Sequence, residues 1–348
     1  MIILSKLLTY SGLSTKVKAM QSNLLSDEDF NNIIHLSNVN EVIAYLAKHP
    51  GYSKTFENAD ISKLHRSNLE KMLTTLKYRD FAKLYNFSNI TQRKYLKLFF
   101  MKYEIALLKS VLRQIFENKT VSVDTSTLGP YFIKFSTIPI DKFEGNININ
   151  EFIEILRGTL FYEPLQKIYS LGNCSLFDYE LCLDVLQFTI IWKNKNKYLF
   201  GTDLELITND YGYRIDLINI QWIYRLKTYY NLTQNEIISF LIPIRHKIKQ
   251  NQMRELINSK NPAEFFEIFK NTFYGKKYKL TGENISLEHL YKTVMDDFHN
   301  KSIRNNPYSH ACIDTYMHKK QNEISKLITI TECIRYSYPA DKILQMIK

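Results

Sequence analysis

The pattern Asn-x-x-Glu, running into an apolar stretch, occurs three times in this chain of 348 residues. The copies are Asn38-Val39-Asn40-Glu41, Asn148-Ile149-Asn150-Glu151 and Asn261-Pro262-Ala263-Glu264, with glutamates 110 and 113 residues apart. The residues that follow align as well: Val42-Ile43-Ala44-Tyr45-Leu46, Phe152-Ile153-Glu154-Ile155-Leu156 and Phe265-Phe266-Glu267-Ile268-Phe269. Three such periods take up nearly the whole length. A chain of this kind reads as one module used three times, a plan that constrains shape more than it suggests a reactive centre.

The repeated residues have a structural role first. Asn is a strong helix N-cap, because its side-chain oxygen accepts a hydrogen bond from a free N–H of the first turn. A glutamate three residues later can return the bond to the cap's own N–H. Pro262 suits the first helical position, where its missing N–H costs nothing. Asn38, Glu41, Asn148, Glu151, Asn261 and Glu264 are therefore expected as helix caps. The modules are expected at residues 1–119, 120–232 and 233–348.

Ten glycines and eight prolines are few for this length, since average usage is about 7% and about 5%. Few turn formers imply long elements, and long elements favour helices. Leu96, Phe99, Phe100, Tyr103, Leu107, Leu108, Val111, Leu112 and Ile115 recur at steps of three and four, one stripe on one helix. Residues 59–118 read as long helices, as do 176–193 and 213–230. Residues 120–150, with β-branched residues and Gly129-Pro130, read as loop with short elements. Residues 194–201 show no helical period and read as a loop. A second recurrence falls in the late helix of each module. Glu104, Asp216 and Glu323 are each followed by apolar residues at offsets one, four and seven. Their spacings of 112 and 107 residues match the first repeat. A period near 110 fits none of the short helical solenoids, whose repeats run about 33 to 47 residues.

No secretory signal is evident, because Lys6 interrupts the first apolar run, and no uncharged apolar run reaches the roughly 18 residues of a membrane span. The chain is expected to be soluble, meeting a membrane only at its surface or through another protein. Cys174, Cys182, Cys312 and Cys333 form no CxxC pair and suit a reducing compartment. His310, Cys312 and His318 lack a fourth ligand at a recognised spacing, so no metal is expected. There is no phosphate-binding, dinucleotide-binding, HExxH or GxSxG motif. Asp296-Asp297 with His299 comes nearest to a reactive cluster, and a solvated helix face explains it better. Neither a cofactor nor catalytic residues are expected.

The net charge of +11 would suit an acidic partner, an anionic surface or nucleic acid. The cations are spread along the chain, however, and their densest run, Arg245-His246-Lys247-Ile248-Lys249, is short. A helical nucleic-acid-binding protein is the alternative reading, supported by this charge and by 24 tyrosines that could stack on bases. Many of the aromatics instead fall at core spacing, and no helix concentrates base-reading side chains.

Taken together, the chain resembles the C subunit of the V-type ATPase of bacteria and archaea, the counterpart of the eukaryotic d subunit. The likeness is carried by Lys16-Val17-Lys18-Ala19 with Leu24-Leu25-Ser26, by Asn261-Pro262-Ala263-Glu264 with Thr272-Phe273-Tyr274, and by Glu323-x-x-x-Leu327-x-x-Ile330. Lys16 and Lys18 stand where the family usually has arginine. Arg335-Tyr336-Ser337-Tyr338-Pro339 replaces a segment with Lys and Gly. The resemblance implies an all-α fold of three modules about a pseudo-threefold axis, forming a funnel with a central cavity. It implies a non-catalytic coupling between the central shaft, subunits D and F, and the membrane rotor ring of a proton- or sodium-transporting machine. It places the chain in the cytoplasm, peripheral to the membrane and bound there only through the ring, with no nucleic-acid partner. Lys48, Arg157 and Lys270, basic positions on the repeated helices, are the candidates for contact with the shaft.

Overall fold

A computed structural model describes residues 2–57, 66–230, 232–279 and 286–347. The chain divides into two compact units, residues 1–89 with 302–348 and residues 90–301. Among the described residues there are eighteen α-helices and a single two-stranded antiparallel ribbon, so the chain is all-α.

The first unit joins the two ends of the chain. It holds α1 (Ile2–Gln21), α2 (Asp27–Ile34), α3 (Val39–Lys48), α4 (Ser53–Phe56), α5 (Arg66–Phe87), α17 (Ala311–Arg335) and α18 (Ala340–Ile347). Helix α2 starts where Ser26 and Asp29 cap each other reciprocally. Ile33, Ile34, Val42, Ile43 and Leu46 from α2 and α3 pack on Ile324, Leu327 and Ile330 of α17. All of these are at most 4% exposed.

The second unit holds α6 (Ile90–Phe116), β1 (Val121–Ser122), α7 (Thr125–Phe135), β2 (Glu144–Gly145), α8 (Ile149–Ile155), α9 (Tyr162–Ser170), α10 (Leu176–Tyr198), α11 (Gly201–Tyr230), α12 (Gln234–Phe240), α13 (Gln250–Asn258), α14 (Pro262–Lys270), α15 (Phe273–Lys277) and most of α16 (Leu287–Asn305). Leu217, Ile220 and Ile223 of α11 receive Met253, Leu256 and Ile257 of α13 with Phe265 and Phe269 of α14. The two units thus repeat one packing rule. The stripe at offsets one, four and seven after the late carboxylate takes the apolar faces of two short capped helices. Burying each such Ile, Leu or Phe stabilises the fold by about 1.5–3 kcal/mol.

Two segments depart from the sequence expectation. Residues 194–198 continue α10 and leave only Leu199 and Phe200 before α11. Lys195 is buried there, its ammonium 4.4 Å from the centre of the Trp192 ring, so a lysine occupies a position that an apolar residue would have marked. Residues 125–135 form a true helix despite Gly129 and Pro130. Asp124 caps it, accepting from Thr127 N at 3.1 Å, while Phe132 and Phe135 pack their rings 5.3 and 5.4 Å from Phe100. Aromatic packing outweighs the lost N–H of one proline. Of the long helical stretch expected over 59–118, residues 59–65 lie outside the described residues. Among the described residues no helix is long and apolar enough to cross a membrane.

Candidate functional site

In all three copies of the repeated motif the asparagine Oδ1 accepts from the glutamate N–H three residues on. The distances are 3.0 Å for Asn38 and Glu41, 3.0 Å for Asn148 and Glu151, and 2.9 Å for Asn261 and Glu264. The carboxylates differ in their return bond. Glu151 closes a reciprocal box on Asn148 N at 2.9 Å. Glu41 and Glu264 reach one residue further back, to Ser37 N at 2.8 Å and Lys260 N at 2.6 Å. The three candidate cations sit near the far ends of these helical segments. Arg157 pairs with Glu154 at 2.5 Å, and Lys270 with Glu267 at 2.7 Å. Lys48 is exposed and belongs to the first unit, the other two to the second.

The second recurrence proves to be a set of buried carboxylates. Glu104, Asp216 and Glu323 are 7%, 0% and 4% exposed. Glu323 on α17 accepts from Leu25 N at 2.6 Å, from the Tyr52 hydroxyl at 2.5 Å and from Lys320 Nζ at 2.6 Å. Asp216 on α11 accepts from His246 N at 3.0 Å, Lys247 N at 2.6 Å, Ile248 N at 3.1 Å and the Tyr274 hydroxyl at 3.0 Å. Each carboxylate therefore grips the segment entering a short helix, α2 or α13, and a tyrosine that follows the next one, α3 or α14. Burial of Tyr52, and then the neighbouring Glu323 charge, drive its pKa far up, so it stays a donor. The latch is a long-range device. A polar residue heading each apolar stripe, with a tyrosine 11 or 10 residues past the cap glutamate, was the signal available in the sequence.

Glu104 on α6 is the simplified copy. It accepts from the Ser136 hydroxyl, where α7 ends. Ten residues past Glu151 stands Phe161, fully buried and without a hydroxyl to give. Burial, opposed only by the Ser136 bond, pushes the Glu104 pKa up to about 7. An acid raised in the folded state favours folding below its unfolded pKa and loses that contribution as pH rises through the folded value. Between about pH 4.5 and 7 the native chain should therefore weaken relative to Glu104→Gln, whose amide oxygen can still accept from Ser136. Urea unfolding at about pH 5 should find the two nearly equal. At about pH 8.5 the variant should be more stable by roughly 2–3 kcal/mol. Equal offsets at both pH values would show that Glu104 is not neutral in the fold.

Asp296, Asp297 and His299 do not form the solvated face expected of them. His299 is 1% exposed and lies with Asp210 and Arg214, 3.2 Å from the Asp210 carboxylate. Burial alone would raise Asp210; Arg214 and then His299 overcome it and hold the carboxyl well below the usual range. Asp297 is turned to Lys301, Lys277 and the Tyr278 hydroxyl. Asp297 and His299, two residues apart on one helix, lie about 200° apart around its axis and so face different neighbours. Among the described residues no three His, Cys, Asp or Glu side chains converge as metal ligands.

The short basic run is split by the Asp216 latch. His246 is held between Trp192 and Tyr213, its Nε2 donating to Asn209 at 3.0 Å, and burial pushes its pKa down to about 4. Ile248 is buried, while Arg245 and Lys249 are exposed. Gly212 makes room for the histidine: a Cβ there would stand 2.3 Å from the ring. Gly212→Ala should cost about 2 kcal/mol in urea unfolding, as overpacking does. A loss below about 0.5 kcal/mol would mean that the loop yields freely.

The family of the ATP synthase (C/AC39) subunit matches residues 13–346. The chain is similar to the C subunit of the A-type ATP synthase of Thermococcus kodakarensis, 23% identical over 348 residues, covering 95% of this chain and 88% of that one. It is also similar to the Archaeoglobus fulgidus protein of the same name, 20% identical with 94% and 93% covered. The corresponding protein of Thermococcus onnurineus is 22% identical, with 99% and 92% covered.

Proposed function

Because the chain belongs to the ATP synthase (C/AC39) subunit family, we propose that it is a non-catalytic rotor subunit of a V/A-type ATPase. It couples the central shaft, subunits D and F, to the membrane rotor ring during rotary ion transport. The observation that carries this reading is coverage: one family of ATP synthase subunits spans residues 13–346. The latches support it. A coupling must transmit torque without yielding, and buried carboxylates that tie helix entries to long helices stiffen the chain against that load. They also support the three-module plan, since Glu104, Asp216 and Glu323 each grip a segment assigned to the next module, the last returning to the first. On this reading the modules surround a pseudo-threefold axis, the central cavity takes the shaft tip, and the protein works at the cytoplasmic face, held to the membrane through the ring. Lys48, Arg157 and Lys270 remain the proposed shaft contacts.

Size-exclusion co-elution with purified subunits D and F, at low and moderate salt, tests the reading. A stable one-to-one-to-one complex is expected. No complex at either salt, with tight salt-sensitive binding to nucleic acid instead, would overturn it.

A further inference from the structure

Between α12 and α13 the chain makes an apolar groove of about 360 Å³ within the second unit. Its floor is Met253 and Ile257, both buried, and its wall is Leu241, Ile242 and Ile244. Ile238, 54% exposed, stands at the edge. Arg245 and Arg254 complete the rim.

Two features separate this groove from ordinary surface. The first is that its rim is fixed from below. Asn219, 1% exposed, exchanges two hydrogen bonds of 3.0 Å with the backbone of Ile242, like one rung of a sheet. One turn away on α11, Asp216 holds the N–H groups of His246, Lys247 and Ile248. Pro243, Ile244 and Arg245 are suspended between these two anchors. A non-helical run carrying exposed apolar and cationic side chains is thereby ordered in advance, which removes part of the entropy cost of binding.

The second feature is the charge of the rim. Four other exposed arginines have carboxylates: Arg113 has Glu180, Arg157 has Glu154, Arg225 has Glu288 and Arg335 has Glu332, while Arg304 has no ion pair among the described residues. Among the described residues neither Arg245 nor Arg254 has a hydrogen-bond or ion-pair partner. A guanidinium presents a planar fork that fits a carboxylate with two parallel bonds.

We propose that this groove docks a segment of a partner protein that carries a bulky apolar side chain flanked by Asp or Glu. The apolar group fills the space over Met253 and Ile257, and the flanking carboxylates meet Arg245 and Arg254. The chemistry of the lining disfavours the other occupants. Single-stranded nucleic acid needs aromatic platforms for its bases, and none of the lining residues is aromatic. An anionic membrane is met by clusters of about four to eight cations, and the rim has two.

The test places the photo-crosslinker p-benzoylphenylalanine at Ile238 in the full chain, irradiates intact cells of the source organism, and maps adducts by mass spectrometry after denaturing purification. The expected adduct is one protein segment with Asp or Glu on both sides of an apolar residue. In the Arg245→Glu/Arg254→Glu variant its yield should fall about tenfold, the effect of losing roughly one charge-assisted hydrogen bond. The Arg245→Lys/Arg254→Lys variant should keep an intermediate yield, and equal melting temperatures would show that all these chains fold. Four results would overturn the proposal: no adduct, adducts to lipid or nucleic acid, a segment without flanking carboxylates, or a yield unmoved by charge reversal. Because crosslinking precedes purification, the outcome is independent of co-elution with subunits D and F.

Discussion

Replacing Glu323 with alanine should lower the stability of the chain by about 3–5 kcal/mol in urea unfolding. The reason lies in what would be left behind. Lys320 is 2% exposed, and its ammonium has Glu323 Oε1 at 2.6 Å and the Tyr52 hydroxyl oxygen at 3.2 Å. Without the carboxylate a buried cation keeps one neutral acceptor and the face of the Tyr52 ring, 4.3 Å away. Leu25 N and the Tyr52 hydroxyl lose their acceptor at the same time. The double variant Lys320→Met/Glu323→Leu removes both charges together and should recover most of the loss, because a well-packed apolar pair can replace a buried ion pair at little cost. A Glu323→Ala chain within about 1 kcal/mol of the parent would mean that the ion pair is not desolvated and that the latch contributes little.

The second large effect is expected at Asp216. Burial raises its pKa, and three backbone N–H groups and the Tyr274 hydroxyl oppose the rise. A carboxylate can accept all four donors. Oδ1 takes His246 N and Oδ2 takes the other three, so an asparagine whose oxygen keeps the Oδ2 position turns its NH₂ group on His246 N, and the three bonds that remain lose their charged acceptor. At about 1–3 kcal/mol for the unsatisfied N–H, with three bonds weakened from a charged to a neutral acceptor, Asp216→Asn should cost roughly 4 kcal/mol. Amide exchange separates this from a general loss of packing. The N–H groups of His246, Lys247 and Ile248 should lose protection before those in the middle of α11. Uniform loss of protection across α11 to α14 would instead assign Asp216 to the core of the unit as a whole.

Asn38, Asn148 and Asn261 could be read from the sequence as cap residues because a cap is local chemistry, settled within one helical turn. The all-α class was equally accessible, since long stripes such as Leu96 to Leu112 need only period and length. What escaped depended on distance. Glu104, Asp216 and Glu323 looked like the polar heads of ordinary amphipathic stripes. Their purpose appears only when Leu25 or Lys247 is brought to them across 298 or 31 residues of chain. The end of α10 escaped for a different reason: Asn194, Asn196 and Lys197 carry no apolar period, and the buried Lys195 disguises the inward face. In α7, Pro130 signalled a break that the packing of Phe132 and Phe135 overrides. The exposed arginines of the α12–α13 groove left no sequence signal, because an unpaired cation and a paired one are written with the same letter.

That the first unit is closed by α17 has a consequence for how the protein is made. Ile33, Ile34, Val42, Ile43 and Leu46 find their apolar partners on α17, which leaves the ribosome only after the whole of the second unit. At about 5–20 residues per second, synthesis of the intervening stretch takes roughly 10–50 s. For that interval the second unit can finish folding while the amino-terminal helices wait with their greasy faces open. Nascent chains of this protein should therefore depend on holding chaperones through that window. A version permuted to begin near residue 302, with residue 348 linked to residue 1, should emerge with the late helix already in hand and shed much of that dependence.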